Sequence, residues 1–429
     1  MIELAAAIDL VERAAAPLPA RRQRLADARG RRLAAAVVAD CDSPPFDRAM
    51  MDGFAVTDGD FAAGGGEIVE LEVTMDLAAG DATTTAVRRG TCMRIMTGAP
   101  LPPGADAVVP VECAVDGTAG VHAGGRVRLR DDRFRAGQHV GRQGTAFRRG
   151  GEVLRVGNVL TPAAVGLAAE AGATHVLAAA RVRVAILSTG SELVSCAAVP
   201  ATGQTRNSNG PMLAAACAAL GAEPIELGIA PDRAEPLRAA VAQGLAADLL
   251  VLSGGVSAGD LDLVPATFTA CGVEKLFHKV RLKPGKPVWF GVLTRPDGAP
   301  ATLVFGLPGN PASSLVCFEL FVRPAIRILA GRPRPDWHLP RARAVLKTAA
   351  KAAEDRPVYL PARLERVAEE HGSKRPFAAP PLPLAVTPLP WTGSSDLLGL
   401  AGAGCFVALP AGGGVLAAGS EAEIVIRDW

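Results

Sequence analysis

A multidomain α/β-plus-β chain built around a parallel-stranded sheet is the fold class this sequence predicts, and three observations carry it. From Val182 to Gly331, short apolar β-runs alternate with segments of helical period, the pattern of a parallel sheet with helices on both faces. Ahead of that region, Ser43 to about Gly137 is a series of short strand-like runs broken by glycines. Behind it, the tail after Gly331 returns to β-texture, and the chain's full length of 429 residues makes several domains the natural prior.

Taken in order, residues 1 to about 42 read as helical, with apolar positions at Leu4, Ile8 and Val11 and a basic patch at Arg21–Arg32. Ile68–Met75 and Val127–Arg130 alternate as strands, so the piece they belong to is expected to be a small barrel or sandwich. Pro162 opens an Ala-rich helix. That segment is expected to return onto the N-terminal helices, making the β-rich piece an insertion. The expected domains are therefore 1–42 with 138–180 as a linker domain, 43–137 inserted, 181–331 α/β, and 332–429 a C-terminal β domain.

Within the α/β part, Val182–Ser188 is the first strand, Pro211–Leu220 a helix stopped by Gly221, and Pro224–Ile229 the second strand. Ala234–Ala246 is the next helix and Leu249–Leu252 the third strand. Val288–Leu293 and Leu303–Leu307 follow as strands, then a long helix from Pro311 to about Ala330 closed by Gly331. In the tail, the run "RPFAAPPLPLAVTPLP" is too rich in proline for a central strand.

Composition narrows the function. Aromatics are 4% with a single Tyr, which disfavours stacking on nucleic-acid bases as the main activity. Forty-five basic residues balance 43 acidic ones for a net charge of +2, so no polyanion surface is expected and no nucleic-acid partner. The eight cysteines are scattered without a C-x-x-C pair, as expected of reduced thiols in a cytoplasmic protein. The N-terminus lacks the basic and apolar pattern of a signal peptide. The uncharged stretch Leu397–Ser420 is full of glycine and contains Pro410, so it suits turns and short strands, not a membrane helix.

In open α/β sheets, ligands bind beyond the carboxyl ends of the strands, and three unusual loops fall there: Ser188–Leu193 ("STGSEL"), Ser253–Asp262 ("SGGVSAGDLD") and Gly306–Ser314 ("GLPGNPASS"). Asn310 is a good N-cap and Pro311 a good first helical residue, so free N–H groups are expected to face the rim, with Ser313 and Ser314 adding hydroxyls. A plain strand-to-helix turn fits that loop equally well. Gly254 and Gly255 let an anion approach the main chain, while Asp260 and Asp262 supply hard oxygens for Mg²⁺. Taken alone, two loop aspartates are more commonly solvated residues or caps. Glu192 sits on the same rim, and Asp232 is either a helix N-cap or a ligand contact.

Lys279, Arg281 and Lys283 alternate, so on a strand they share one face. With Lys286 they form a cationic cluster suited to an oxyanion, although such runs are often solvated faces. Outside this region, Asp47 and Asp52 lie in "SPPFDRAMMDGFAV", and Thr97, Asp106 and Glu112 lie in "RIMTGAPLPPGADAVVPVE". The six histidines show no metal-binding spacing, and no P-loop is present.

These segments together resemble the molybdopterin molybdenumtransferases, the MoeA and gephyrin-E type. The matching stretches are "PPFDRAMMDGFAV", "RIMTGAPLPPGADAVV", "ILSTGSELV", "NSNGPML", "SGGVSAGDLDLV", "KPGKP" and "GLPGNPASS", in family order from about residue 40 to 320. The C-terminal "GSSDLLGLA…LPAGG" is a weaker match. The resemblance implies a MoaB/Mog-like three-layer α/β domain, a helical linker domain, an inserted β-rich domain and a small C-terminal β-barrel. It implies a homodimer in which the Met51-Asp52-Gly53 part of one subunit approaches the α/β domain of the other. The implied reaction joins molybdate to adenylylated molybdopterin with Mg²⁺ and releases AMP, with the molybdopterin adenylyltransferase and recipient molybdoenzymes as further partners.

Under that resemblance, Asp52, Glu192, Asp262, Lys279 and Lys283 take catalytic roles, and Glu192, Asp260 and Asp262 hold the metal. Thr97, Thr189, Gly190, Asp232, Ser253, Gly254, Gly255, Ser257, Lys286, Pro308, Gly309, Asn310, Pro311 and Ser313 bind substrate. The chain departs from the pattern at Ala49 and Met50, where the family has Ser and Ala, and at Thr145-Ala146, where an acidic pair is usual. Arg233 stands where a second acid often follows Asp232. These departures motivate an alternative, a pterin-binding scaffold without turnover; AMP release separates the two. A purely structural assembly protein leaves the rim carboxylates unexplained.

Overall fold

A computed structural model describes residues 1–61, 66–256, 263–295, 300–366 and 384–428. They form two compact units, Met1–Arg21 with Ala179–Trp429, and Arg22–Ala178.

The first unit is organised by a six-stranded sheet. Its strands are β1 (Arg183–Thr189), β2 (Glu223–Ala230), β3 (Leu249–Ser253), β4 (Glu274–His278), β5 (Trp289–Leu293) and β6 (Thr302–Leu307), in the order β2-β1-β3-β6-β5-β4. The first four of that order run parallel, but β5 and β4 are antiparallel additions. The sheet is thus mixed where the sequence predicts a parallel one. Leu293 and Thr302 are too close in the chain for the roughly dozen-residue crossover that a parallel pair needs.

The central strands β1, β3 and β6 read as near-continuous apolar runs because both faces are covered. Val184 and Ile186 pack toward helix α2 (Asn209–Ala219), with Leu213 and Cys217. Ala185 and Leu187, pointing the other way, pack toward α3 (Ala234–Gly244) and α4 (Leu263–Ala270), with Leu237, Val241 and Phe268. Sequence periodicity does not pick out the short elements β4 and α4.

The long helix after β6 comprises α5 (Pro311–Cys317), a π turn (Phe318–Val322) and α6 (Arg323–Leu329). Pro324 explains the widened turn: it lacks an N–H, and its ring would strike the carbonyl one turn back in a regular helix. Buried beside it, Arg323 Nε donates to Glu319 Oε2 at 2.5 Å, and its two Nη atoms donate to Asp428 at 3.0 and 2.7 Å. Burial pushes the Glu319 carboxyl up, against the pull of Arg323. Only α1 (Leu4–Ala14) of the expected N-terminal helices is α-helical, and its Ala7 and Val11 join the same core as Phe321 and Ile328.

The end of the chain closes a small barrel from Arg341–Leu346, Leu384–Pro388, Val358–Arg366, Cys405–Leu409 and Glu421–Ile426. Leu384–Pro388 pairs on both sides, which overturns the expectation that the proline-rich run holds no central strand. Pro388 falls at the strand's end, and Leu384–Thr387 keep their N–H groups for pairing.

In the second unit, a five-stranded sheet runs Ala107–Pro110, Gly53–Val56, Thr91–Ile95, Val69–Leu77, Arg126–Leu129. Phe54, Val73 and Val127 bury one face, and Ala55, Met93 and Val108 the other. A separate core joins Leu25, Leu33 and Val37 to Leu160, Ala164, Ala168 and Val176. Its helix, Pro162–Glu170, is capped by Thr161, whose hydroxyl accepts from the Ala164 N–H at 3.2 Å. Residues 21–38 contribute strands and a 3-10 turn there, where the sequence suggests helix. Among the described residues no helix is long and apolar enough to cross a membrane.

Candidate functional site

The carboxyl ends of β1, β3 and β6 open on one cavity of about 1010 Å³, large enough for a ligand of dinucleotide size. Chain order turns back between β1 and β3, the switch point where such sheets bind ligands. Three loops meet there because glycine lets them. Gly254 sits at φ 99°, and a Cβ on it would come within 2.3 Å of the Thr189 carbonyl oxygen. Gly309 lies against the Gly254 Cα on the other side, at 3.7 Å from its own would-be Cβ. The Gly254 N–H donates to the Leu307 carbonyl at 3.0 Å, tying the second loop to the third.

From the first loop, Thr189, Gly190 and Glu192 line the cavity. Glu192 is exposed, and its carboxylate lies over Gly190, where a Cβ would meet Oε1 at 2.7 Å. Asp232 also lines the cavity but its carboxylate is engaged: it accepts from Thr189 Oγ1 at 2.8 Å and from the Ser191 N–H at 3.1 Å. It does not cap a helix, since α3 begins at Ala234 with Arg233 in the cap position. Asp232 therefore braces the Glu192 loop.

Ser253, Gly254 and Gly255 line the cavity from the second loop. Ser257, Asp260 and Asp262 lie outside the described residues. Among the described residues no three His, Cys, Asp or Glu side chains gather into a metal-holding group. Glu192 supplies a hard-oxygen carboxylate at the rim, exposed and, among the described residues, without a hydrogen-bond partner in its way.

The third loop contributes Pro308, Gly309, Asn310, Pro311 and Ser313. Asn310 occupies the cap position with extended backbone, yet its side chain makes no capping bond. Its amide donates instead to Ser394 Oγ at 2.7 Å, and the Ser394 carbonyl accepts from the Ala312 N–H at 3.0 Å. One expected free donor of the first turn is thus taken by a barrel loop. Ser314 Oγ donates to the Pro308 carbonyl at 2.8 Å, so its hydroxyl is committed to the turn.

Lys283 and Lys286 line the cavity, whereas Lys279 does not. The expected strand bearing all three on one face is not formed: β4 ends at His278, and Lys279 has a left-handed φ of 69°. Its N–H donates to the Val288 carbonyl, and Arg281 pairs with Glu3 at 3.1 Å. The Lys283 N–H donates to the Pro357 carbonyl at 3.0 Å and its carbonyl accepts from the Tyr359 N–H at 2.8 Å.

That contact explains what sequence reasoning missed. The barrel supplies a wall of the cavity through Arg356, Trp391, Ser394 and Ser395, and the segment Thr205–Asn209 supplies another. Ser188 Oγ donates to Asn207 Oδ1 at 3.0 Å, which also accepts the Gly210 N–H. A useful signal for Asn207–Asn209 is their place at the start of α2; for the barrel residues, local sequence gives none.

The second unit holds Asp52 and Thr97 together. Asp52 Oδ1 accepts from the Thr97 N–H and from Thr97 Oγ1, each at 2.7 Å. Those donors, the backbone one first, hold the Asp52 carboxyl below its usual range. Asp47 is likewise held low, by the Gln143 N–H first, against some desolvation, and by Arg142. At the Thr145-Ala146 departure, Thr145 Oγ1 donates to the Arg142 carbonyl at 2.9 Å, serving the turn. All eight cysteines are free, and burial pushes the Cys92 and Cys217 thiols up to about 12.

Comparison with known proteins agrees with this architecture. Residues 2–172 match the family model described as MoeA N-terminal region (domain I and II), 185–328 the probable molybdopterin binding domain, and 343–426 the MoeA C-terminal region (domain IV). The chain is 40% identical over 331 residues to molybdopterin molybdenumtransferase 2 of Mycobacterium tuberculosis H37Rv, covering 75% of this chain and 78% of that one. It is 33% identical over 392 residues to the molybdopterin molybdenumtransferase of Bacillus subtilis 168, covering 90% and 85%. The crystal structure of the molybdopterin biosynthesis MoeA protein from Pyrococcus horikosii superposes with a TM-score of 0.74 at 27% identity, over 100% of both chains.

Proposed function

The chain belongs to the molybdopterin molybdenumtransferase family, and from that premise we propose that it inserts molybdenum from molybdate into adenylylated molybdopterin and releases AMP. The observation that carries the proposal is the convergence of the three rim loops with Lys283 and Lys286 on one cavity. The close-packed glycine turn at Gly254 and Gly255 brings the second and third loops side by side as a wall that suits the diphosphate link, and the two lysines suit an incoming oxyanion. None of the eight cysteines is among the described residues that line the cavity, which fits a reaction whose sulfur ligands belong to the pterin.

Mg²⁺ is part of the same proposal. Glu192 would hold it, with Asp260 and Asp262 completing the set, and the ion would supply charge neutralisation at the phosphates. Asp232 fixes the loop that carries Glu192. Asp52, kept ionised by Thr97, would act from a partner subunit of a homodimer, in the cytoplasm. Lys279 stays a proposed catalytic residue only through the family motif, since it does not line the cavity.

Purified protein given adenylylated molybdopterin, molybdate and Mg²⁺ is expected to release AMP stoichiometrically with molybdenum insertion. Tight pterin binding without AMP would favour the scaffold alternative raised by Thr145-Ala146.

A further inference from the structure

Trp391 is the only aromatic residue among the described residues that line the cavity, in a chain that is 4% aromatic. Its turn is held firmly. Asp396 accepts from the Thr392 N–H and hydroxyl, each at 3.1 Å, and from the Gly399 N–H at 3.2 Å, while Asn310 grips Ser394. The indole packs partly against the core that also touches Leu397. Its Nε1–H is shielded from solvent and has no hydrogen-bond partner among the described residues, so the side chain offers the cavity carbon surface instead of a donor.

An unpaired buried N–H is a poor choice for a residue that merely fills space, because leucine or phenylalanine would do so without stranding a polar group. Glycine, proline, hydroxyl, amide and charged groups make up most of the remaining wall, and they suit phosphate and oxyanion. Arg206 and Arg356 add planar guanidinium groups, but Trp391 is the one aromatic π-face among the described lining residues.

We propose that Trp391 is the ring-recognition residue of the cavity, stacking its indole on a heteroaromatic ring of the substrate. The inference rests on the proposed function, which puts two such rings on one substrate, a pterin and a nucleobase. Stacking on an aromatic side chain is sequence- and ring-tolerant, so the same chemistry serves either one.

Calorimetric titrations of the full chain with molybdopterin (anaerobic), AMP and inorganic pyrophosphate test it, using wild type, Trp391→Leu and Trp391→Phe. Trp391→Leu is expected to weaken one ring-bearing ligand by about 10-fold or more, with Trp391→Phe recovering most of it and pyrophosphate unchanged. Loss confined to AMP identifies the nucleobase as the stacked ring; loss confined to molybdopterin identifies the pterin. The same ligand should quench tryptophan emission in wild type and much less in Trp391→Phe, a readout that decides the matter if the leucine variant does not fold. Undiminished quenching, equal weakening of pyrophosphate, or no weakening of either ring-bearing ligand overturns the assignment. Wild-type protein that binds pyrophosphate but neither ring-bearing ligand would instead overturn the proposed function beneath it.

Discussion

The two ends of the helix running from Pro311 to Leu329 are built on opposite principles. At its start, the groups facing the cavity are small and uncharged, and the Ala312 N–H is held by a single replaceable acceptor, the Ser394 carbonyl. Toward its far end, Arg323, 1% exposed, is clamped between Glu319 and Asp428. Under the proposed function the first end exchanges partners with a ligand, whereas the far end holds a buried ionic cluster that does not open. The contrast separates binding from stability along one continuous element.

Breaking the far end should have the largest effect. Arg323→Ala removes the buried guanidinium that Glu319 and Asp428 share and is expected to lower unfolding free energy by about 3–5 kcal/mol in urea titrations. AMP release per folded molecule should hold. An unchanged midpoint would mean the cluster is not a structural anchor.

Next comes the cavity end. Lys286 is exposed, so Lys286→Ala should leave the thermal melt in place while cutting AMP release about 100-fold, the scale of a lost oxyanion-stabilising group. Loss of stability with normal turnover would reverse the distinction between the two ends.

Asp232 lies between these extremes, lining the cavity yet internally bonded. Asp232→Asn cannot accept both the Thr189 hydroxyl and the Ser191 N–H as a carboxylate does. A decrease in kcat/KM of about 10-fold, or about 1.4 kcal/mol, is expected, together with a small fall in melting temperature. Turnover at the wild-type level would show that the Glu192 loop holds its shape without this brace.

The smallest effect concerns pH. Thr97 depresses the Asp52 pKa, so activity that needs the ionised carboxylate is lost only as pH falls through that lowered value. Thr97→Val removes the hydroxyl donor and keeps the N–H, which moves the acidic limb of the rate profile to higher pH. A limb that stays in place would exclude Asp52 as the group titrating there.

How much of this was legible in the sequence follows from what each feature depends on. The alternation of Val184 and Ile186 with Ala185 and Leu187 is a local pattern, and so is Gly331 ending a helix; both are readable directly. The rim loops were legible because glycine and proline mark them and strand direction places them. Asn310 shows the boundary. Its cap position was readable, but its side-chain partner, Ser394, is distant in sequence. Lys279 failed for a related reason: alternation of charge implies a strand only where ladder partners exist, and the chain turns left-handed there instead. Trp391 and Arg356 depend on how the barrel docks, which no local pattern records.

A crystal structure of the protein with AMP and Mg²⁺ tests the central claim most directly. The nucleotide phosphate is expected between the Ser253–Gly255 and Gly309–Ser313 loops, with the ion on Glu192. A phosphate lodged away from those loops, or an ion bound without Glu192, would contradict it.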